Sequence, residues 1–434
     1  MVQEVPLRVL VVGGSGLIGS ALSARLALEG HEVISLSRHL ARAGLGPVSH
    51  VKFDVAKAVT VEKWLPLLGE VDAVVNCAGT LQDGPGESTK GVHYLGTRAL
   101  FAACERSNVR RILHLSAINV ERKASGFSET KFAGDVDLMG RNLDWVILRP
   151  SVVIGRAAYG GSALMRGLAA LPILPVLAGT GPLQPVWLDD VIDTIAFYLR
   201  PMAPAGVVLD LVGPRSLSFA DWIRVFRRWL RWRDAPSMTF PAWSSSLLYR
   251  LGDAVSLAGW RPPIRTAAQR EMVHGATGDG LPWQQATGIS PTEVGDALAR
   301  EPASVQERWF AKMYLLKPLV FGVFGLFWIA TGIISLGPGW DIGIGLMREG
   351  GARDPIASLA VISGAGADIL IGLAILYRPA SRYGLYAALL LAIVYAIIGT
   401  ILVPRLWRDP LGPMLKIWPI IVLILVALAI RDDR

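Results

Sequence analysis

Residues 7–19 read Leu-Arg-Val-Leu-Val-Val-Gly-Gly-Ser-Gly-Leu-Ile-Gly, and this stretch decides the fold of the N-terminal half. Apart from one arginine, residues 7–12 are apolar and mostly branched, which is typical of a strand buried in a parallel sheet. After the glycines, residues 20–29 carry apolar side chains at helical spacing, and Gly30 ends that pattern. A strand, a glycine-rich turn and a helix in this order predict a βα unit that binds a dinucleotide.

Each glycine of this turn has its own physical role. Gly13 permits a tight turn, Gly16 lets the backbone approach a pyrophosphate, and Gly19 lets the helix pack closely on the strand. The N–H groups at the start of the helix then face the anion. A turn with only a structural role is the alternative. We predict a cofactor site that consists of Gly13, Ser15, Gly16, Leu17, Ile18 and Gly19.

The rest of the N-terminal half alternates between strands and helices. This alternation predicts the α/β class, with a doubly wound parallel sheet of the Rossmann type. Beyond residue 150 the pattern loosens and predicts a small mixed substrate lobe. The apolar segment 164–178, broken by Pro172 and Pro175, is too short to span a bilayer and is expected to face its surface. The further strands are predicted at 32–36, 51–54, 73–76, 111–116 and 145–148.

The C-terminal part has the composition of a membrane domain. Hydrophobic residues make up 52% of the chain and charged residues only 18%, whereas an ordinary globular chain is roughly a quarter charged. Four apolar segments each approach the length of a bilayer span. They predict a four-helix transmembrane bundle, with segments at 319–336, 356–377, 383–403 and 414–430. The predicted domains are 1–200 for the dinucleotide, 201–312 for the substrate lobe and linker, and 313–434 for the membrane.

The net charge and the cysteine content indicate which kinds of partner the protein binds. The net charge is +8, but the basic residues are scattered, so we expect anionic lipid and a phosphate-bearing cofactor rather than nucleic acid. Cys77 and Cys104 lack metal-ligand spacing, so no metal site is predicted, and both are expected to be buried thiols in a reducing compartment. The N-terminus does not resemble a signal peptide. We expect a multi-pass protein of the bacterial inner membrane with its N-terminal domain in the cytoplasm.

The end of the second strand bears on the choice of cofactor. An acidic residue at this position binds the ribose 2′-hydroxyl of NAD, and none follows Ser37. Arg38 stands there instead, and a guanidinium binds a 2′-phosphate well. The sequence favours NADP, with NAD as the alternative, and a solvated surface role for Arg38 also stays open.

Several further motifs accompany the glycine turn. They are Asp54-Val55, Asn76-Cys77-Ala78-Gly79, Gly96-Thr97, Arg149-Pro150-Ser151 with Val152-Val153-Ile154-Gly155, and Pro185-Val186-Trp187-Leu188-Asp189-Asp190-Val191. In this combination the chain resembles the extended and atypical short-chain dehydrogenase/reductases, which include NAD-dependent epimerases and dehydratases. The resemblance implies that Asp54 and Val55 hold the adenine end of the cofactor and that Ala78 and Gly79 line its ribose.

The same resemblance implies a catalytic serine, tyrosine and lysine, the last two spaced Tyr-x-x-x-Lys. Ser116 and Lys131 occupy the serine and lysine positions, and Lys131 would also bind the nicotinamide ribose. Phe127 stands where the tyrosine is expected, and a phenyl ring has no proton to donate. Tyr159 is a candidate substitute, whereas His114 is expected to be a buried core residue.

The C-terminal part resembles DoxX-like membrane domains. The residues that carry this resemblance are Pro302 to Lys312, Tyr314 to Pro318, and Asp409-Pro410-Leu411-Gly412-Pro413 before Lys416. Asp368 lies inside a predicted span, where an ionisable group is expensive. Proton or quinone-headgroup handling is one role for it, and a structural hydrogen bond across the bundle is the other.

Two functions follow from these features. The first is an NADP-dependent oxidoreductase or epimerase that acts on an amphiphilic or lipid-linked substrate, or on a quinone. The second is a non-catalytic NADPH-binding sensor or accessory subunit of a membrane redox complex. The retained Ser116 and Lys131 favour the first, and Phe127 favours the second.

Overall fold

The computed structural model describes residues 6–38, 47–177 and 179–431. The chain divides into two units, residues 1–253 with 262–311 and residues 254–261 with 312–434. The strands are β1 (Arg8–Val12), β2 (Glu32–Ser37), β3 (Val48–Lys52), β4 (Ala73–Asn76), β5 (Arg111–Leu115), β6 (Asp144–Pro150), β7 (Val153–Ile154), β8 (Leu174–Leu177), β9 (Val186–Trp187), β10 (Val207–Leu211) and β11 (Ser237–Phe240).

The helices alternate with these strands in the first unit and continue alone in the second. They are α1 (Leu17–Leu28), α2 (Thr97–Arg106), α3 (Gly126–Met139), α4 (Gly160–Ala169), α5 (Leu188–Leu199), α6 (Phe219–Trp229), α7 (Ala242–Leu257), α8 (Thr266–His274), α9 (Leu281–Thr287), α10 (Val294–Arg300), α11 (Val305–Leu336), α12 (Trp340–Glu349), α13 (Asp354–Leu376), α14 (Ser381–Leu402) and α15 (Ile417–Ile430).

A parallel sheet forms the core of the first unit. Within the described ranges it has seven strands in the order β10-β6-β5-β4-β1-β2-β3. The strand order reverses beside β1, and ligands of such sheets bind at this switch point. Residues 9–12 of β1 are fully buried because helices cover both faces of the sheet. The predicted doubly wound α/β fold is confirmed.

Two sequence predictions in the first unit need correction. The third strand was predicted at 51–54, but β3 ends at Lys52 because the Asp54 side chain accepts a hydrogen bond from Ala56 N–H and starts a 3₁₀ turn. The segment predicted to face the bilayer is buried where it forms the end of α4, with Leu164 8% exposed and Ala169 fully buried. The residues of the segment that belong to α4 pack inside the first unit, whereas Ile173 is 46% exposed, and residue 178 lies outside the described residues.

The second unit contains the apolar helices. In the part of the chain that the structure describes, three helices are long and apolar enough to cross a membrane, namely α11, α13 and α14. The predicted fourth span corresponds to α15, which has 14 residues. At 1.5 Å per residue α15 is about 21 Å long, shorter than the ~30 Å hydrocarbon layer, so the count of four spans is not confirmed.

Glycines bring two of these long helices into backbone contact. A Cβ atom added at Gly372 of α13 would lie 2.5 Å from the Gly325 carbonyl oxygen of α11. Only glycine permits such an approach, which is a common basis of helix pairing in membranes. One turn before Gly372, Tyr395 Oη of α14 donates a hydrogen bond of 3.1 Å to Asp368 Oδ1 of α13. Asp368 is 2% exposed and thus makes the structural hydrogen bond considered above.

Candidate functional site

The glycine turn is held between the ends of three strands. Both Gly13 N–H and Gly14 N–H donate to the Leu36 carbonyl at the end of β2, each at 2.9 Å. Gly13 has φ +82°, and a Cβ atom there would lie 2.8 Å from the Ala78 backbone nitrogen after β4. A Cβ atom at Gly19 would lie 2.4 Å from the Gly13 carbonyl oxygen. These two glycines are therefore required by the turn itself.

Gly16 differs from its neighbours because a side chain there would meet a single backbone atom, in a tight contact rather than a severe clash. An added Cβ atom would approach only the Gly13 carbonyl oxygen, at 3.3 Å, and the φ of Gly16 is −77°. Gly16 is the N-cap of α1 and has no side chain to satisfy the first N–H groups of that helix. Ser15 is exposed, and Leu17 and Ile18 are half-buried. The first N–H groups of α1, which no side chain caps, are suited to bind an anionic pyrophosphate.

Arg38 follows β2 as predicted, but it already has a partner. Its Nη2 lies 3.0 Å from Glu87 Oε1, and its Nη1 donates to the Gly86 carbonyl at 3.4 Å. Glu87 lies on the loop after β4 and Arg38 directly follows β2, so Arg38 remains close to the carboxyl ends of the strands. Any phosphate bound by Arg38 would compete with the Glu87 carboxylate.

The residues expected at the adenine end have structural partners too. Asp54 Oδ1 caps the turn of residues 55–57 by accepting from Ala56 N–H at 3.1 Å. Val55 is 8% exposed and belongs to the core on one face of the sheet. Asp54 follows β3 closely, which places it at the carboxyl edge of the sheet.

Lys131 joins the ends of two neighbouring strands. Its Nζ donates to the Leu115 carbonyl of β5 at 2.6 Å and to the Ala78 carbonyl after β4 at 3.3 Å. A Cβ atom at Gly79 would lie 3.6 Å from the same Nζ. Lys131 is 5% exposed, and this burial lowers its pKa to about 8 although the nearby Asp135 carboxylate opposes the shift. The structure therefore brings the predicted Ala78, Gly79 and Lys131 together.

Ser116 directly follows the carbonyl that binds Lys131. Its side chain is 5% exposed, and its Oγ makes no hydrogen bond of standard geometry within the described residues. The hydroxyl lies near the Asp135 carboxylate and acts to lower the pKa of that acid. A buried hydroxyl without a firm partner is costly and is free to bind the oxygen of a substrate.

Sequence reasoning missed the buried charges behind these residues. Asp135 is fully buried, and its Oδ2 accepts hydrogen bonds from Arg149 Nε and Nη2 at 3.1 and 3.0 Å. Burial raises the pKa of Asp135, and Arg149 acts against that rise. Asp135 lies one helical turn after Lys131, so their i,i+4 spacing was the available signal. This ion pair stabilises the charge beside the predicted catalytic residues.

Two histidines, His93 and His114, are buried near Lys131. Thr80 N–H donates to His93 Nε2 at 3.0 Å, so the ring proton is on Nδ1, which faces Thr130 Oγ1 at 2.9 Å. His114 lies in β5 and is 1% exposed, as its in-strand position implied. Burial and the Lys131 charge lower the pKa of both imidazoles well below the usual value. Both rings are therefore neutral, and each has a fixed structural role.

Phe127 lies at the start of α3, where the tyrosine was expected. Its ring meets His93 edge to face with centroids 5.4 Å apart. A cavity of about 170 Å³ lies beside Phe127 and is also lined by Gln82, which is 8% exposed and whose Oε1 has no hydrogen-bond partner among the described residues. Tyr159 is 40% exposed at the start of α4, and no contact in the described residues links it to Ser116 or Lys131. The titratable groups next to Ser116 are thus Lys131, which binds the carbonyl of the preceding residue, and Asp135, which the Ser116 hydroxyl approaches.

Two families of known proteins match this chain. Residues 9–186 match the NAD dependent epimerase/dehydratase family, and residues 325–425 match the DoxX-like family. Both resemblances inferred from the sequence motifs are confirmed. The DoxX-like match and the three long apolar helices make this a membrane-associated protein.

Individual relatives are more distant. The uncharacterised protein Rv2047c of Mycobacterium tuberculosis is 25% identical over 213 residues, which are 49% of this chain and 22% of that protein. The chain thus spans about a fifth of that relative. Ceramide reductase of Caulobacter vibrioides is 24% identical over 316 residues, 66% of this chain and 97% of the relative. The Bordetella bronchiseptica enzyme WbmG, solved with NAD, has the same fold, with a TM-score of 0.55, 16% identity, and coverage of 71% and 97%.

Proposed function

Because this chain joins an NAD-dependent epimerase/dehydratase-family domain to a DoxX-like membrane domain, we propose that it is a membrane-bound, NAD(P)(H)-dependent oxidoreductase. Its substrate would be an alcohol or ketone on an amphiphilic or lipid-linked molecule. The observation that carries this proposal is the buried Lys131 ammonium, which donates to the carbonyl of the residue before Ser116, a buried hydroxyl that makes no hydrogen bond of standard geometry within the described residues. A similarity to ceramide reductase supports the class of substrate. We further propose the bacterial inner membrane, with the first unit in the cytoplasm.

The residues of the site divide the chemistry between them. The bound dinucleotide supplies or accepts the hydride. Ser116 Oγ donates a hydrogen bond to the substrate oxygen and orients it. Lys131 takes the place of the missing tyrosine as the group that gives the proton to this oxygen, because a pKa of about 8 suits proton transfer near neutral pH. Arg149 holds the Asp135 carboxylate in place, and the negative charge of Asp135 stabilises the Lys131 ammonium.

A non-catalytic, dinucleotide-binding sensor or accessory subunit is the second candidate, and Phe127 favours it. The two functions differ in turnover. Full-length protein in detergent is titrated with NADH and NADPH, and their oxidation is then followed with ketones of increasing chain length and with quinones. Turnover by the wild-type protein supports the enzyme. Dinucleotide binding without turnover on every substrate supports the sensor.

Phe127→Tyr is expected to raise turnover about tenfold, because a positioned general acid contributes that much or more. The cavity beside the ring leaves space for the added hydroxyl. The measurement is kcat for wild type and variant with the same ketone and saturating NADH. Phe132→Tyr, a matched change on α3 away from the cavity lining, is the control. Equal kcat values for wild type and Phe127→Tyr would show that Phe127 does not stand in the proton-donor position.

The finer choice of cofactor depends on Arg38, which we propose as the contact to a 2′-phosphate. Arg38→Ala is expected to weaken NADPH binding about 10- to 150-fold and to leave NADH binding unchanged, because a charge-assisted contact contributes about 1.5–3 kcal/mol. Glu87→Gln should strengthen NADPH binding, since it frees the guanidinium. Fluorescence titrations with both dinucleotides measure the ratio. A ratio unaltered by either substitution would assign Arg38 to the Glu87 loop alone.

A further inference from the structure

Helix α7 has its polar and apolar faces reversed. The residues on its buried face are Ser245, Tyr249, Gly252 and Ser256, of which Ser245 and Ser256 are each 4% exposed. The opposite face carries large apolar side chains in the open, Trp243 at 72%, Leu247 at 52%, Leu251 at 53%, Val255 at 47% and Leu257 at 77% exposed. In a water-soluble protein the apolar face of a helix points inward. This arrangement therefore requires an apolar medium or partner outside α7.

The orientation of α7 is fixed by close backbone contact. A Cβ atom at Gly252 would lie 1.7 Å from the Ile264 carbonyl oxygen, so only glycine fits between the helix and this segment. On the next residue, Asp253 Oδ1 pairs with Arg265 Nε at 3.1 Å. At 100° per residue, the face with Gly252 and the face with Leu247 point in opposite directions. The helix cannot turn its leucines inward without losing these contacts.

Residues just after the C-terminal end of α7 make hydrogen bonds at the ends of two membrane spans. Residues 254–261 belong to the second unit. The Ala258 carbonyl accepts from Arg378 N–H at 2.9 Å, and Trp260 Nε1 donates to the Leu376 carbonyl at 2.6 Å. Leu376 ends α13, and α14 begins at Ser381, so both contacts are made where two spans end. The ends of spans lie at the level of the lipid headgroups.

We propose that α7 lies in the membrane interface and that its face from Trp243 to Leu257 inserts into the lipid. The Trp243 indole is of the type that anchors helices at this level. Arg250 is exposed on the same face and is long enough to reach the headgroup phosphates. α7 would thus add a lipid contact to those of the spans, and this contact does not depend on the proposed enzymatic activity.

Site-specific labels on the full-length protein test the proposal. Leu247→Cys and Leu251→Cys are labelled with an environment-sensitive fluorophore and reconstituted into phosphatidylcholine–phosphatidylglycerol vesicles, with Cys77 and Cys104 kept. Leu28→Cys, at an exposed leucine on α1, and Met202→Cys are matched controls, being 87% and 95% exposed. We expect spin-labelled lipids to quench both α7 labels several-fold more than the two controls. Wild-type elution in size exclusion shows that each variant is folded.

Two outcomes would overturn the proposal. In the first, spin-labelled lipid quenches the α7 labels no more than the controls, and aqueous iodide quenches all four alike, which shows that the face is in water. In the second, neither quencher reaches the α7 labels, which shows that protein covers the face, either a second copy of this chain or another subunit.

Discussion

Gly16→Val is expected to abolish dinucleotide binding and to leave the fold intact. A Cβ atom at Gly16 would meet only the Gly13 carbonyl oxygen, at 3.3 Å, which a shift of a few tenths of an ångström relieves, and the φ of −77° suits any residue. The branched side chain would then occupy the space where the pyrophosphate meets the first N–H groups of α1. We expect Kd for NADH to rise at least about 100-fold, which corresponds to about 2.7 kcal/mol. Fluorescence titration measures binding, and the thermal midpoint measures the fold.

Two other glycines serve as controls for this substitution. Gly69→Val changes a glycine with open surroundings far along the chain from the turn, and it should alter neither quantity. Gly19→Val should lower the thermal midpoint, because its Cβ atom would clash with the Gly13 carbonyl. NADH binding by Gly16→Val with wild-type affinity would contradict the assignment of the glycine turn to a dinucleotide and, with it, the proposed function.

Lys131→Met is expected to lower kcat at least about 100-fold, with a small change in KM, because general acid catalysis contributes about 10²–10⁴-fold. Methionine keeps the length of the side chain but has no proton to give. The pH profile gives an independent readout. Burial lowers the pKa of Lys131 to about 8, so the ammonium is present below that value and lost above it. Ketone reduction should therefore decline as the pH rises through about 8, and alcohol oxidation should increase.

The matched control for Lys131→Met is Lys123→Met. Lys123 is exposed and lies in the loop just before α3, so the same chemical change is made outside the site. Its kcat and pH profile should equal those of the wild type. A Lys131→Met protein that reduces the ketone at the wild-type rate with the same pH profile would remove Lys131 from catalysis. That outcome would not affect the assignment of dinucleotide binding to the glycine turn.

The local part of the site could be predicted from the sequence. Strand β1, the glycine turn and α1 are consecutive, so apolar periodicity and glycine spacing predict their arrangement. The positions of Ser116 and Lys131 followed from the family resemblance rather than from periodicity. The structure adds the distance between Lys131 Nζ and the Leu115 carbonyl, which places the lysine beside the serine.

Long-range partners could not be predicted in the same way. Arg149 pairs with Asp135 across 14 residues, and hydropathy contains no information about such a pairing. The apolar composition of a segment also did not show whether protein surrounds that segment. Leu164 and its neighbours pack inside the first unit, whereas the comparably apolar face of α7 is exposed. Composition identifies residues that avoid water, but only the packing shows whether protein covers them.

The two thiols, of which Cys104 is buried and Cys77 half-buried, have a practical consequence for chemistry done on this protein. Burial raises the pKa of Cys77 and of Cys104 to about 12. At neutral pH the reactive thiolate is then only about 10⁻⁵ of each thiol. Maleimides and iodoacetamide should therefore modify an engineered surface cysteine long before either native one. The wild-type chain is already a suitable background for such reagents, and it should tolerate handling in air without a reductant.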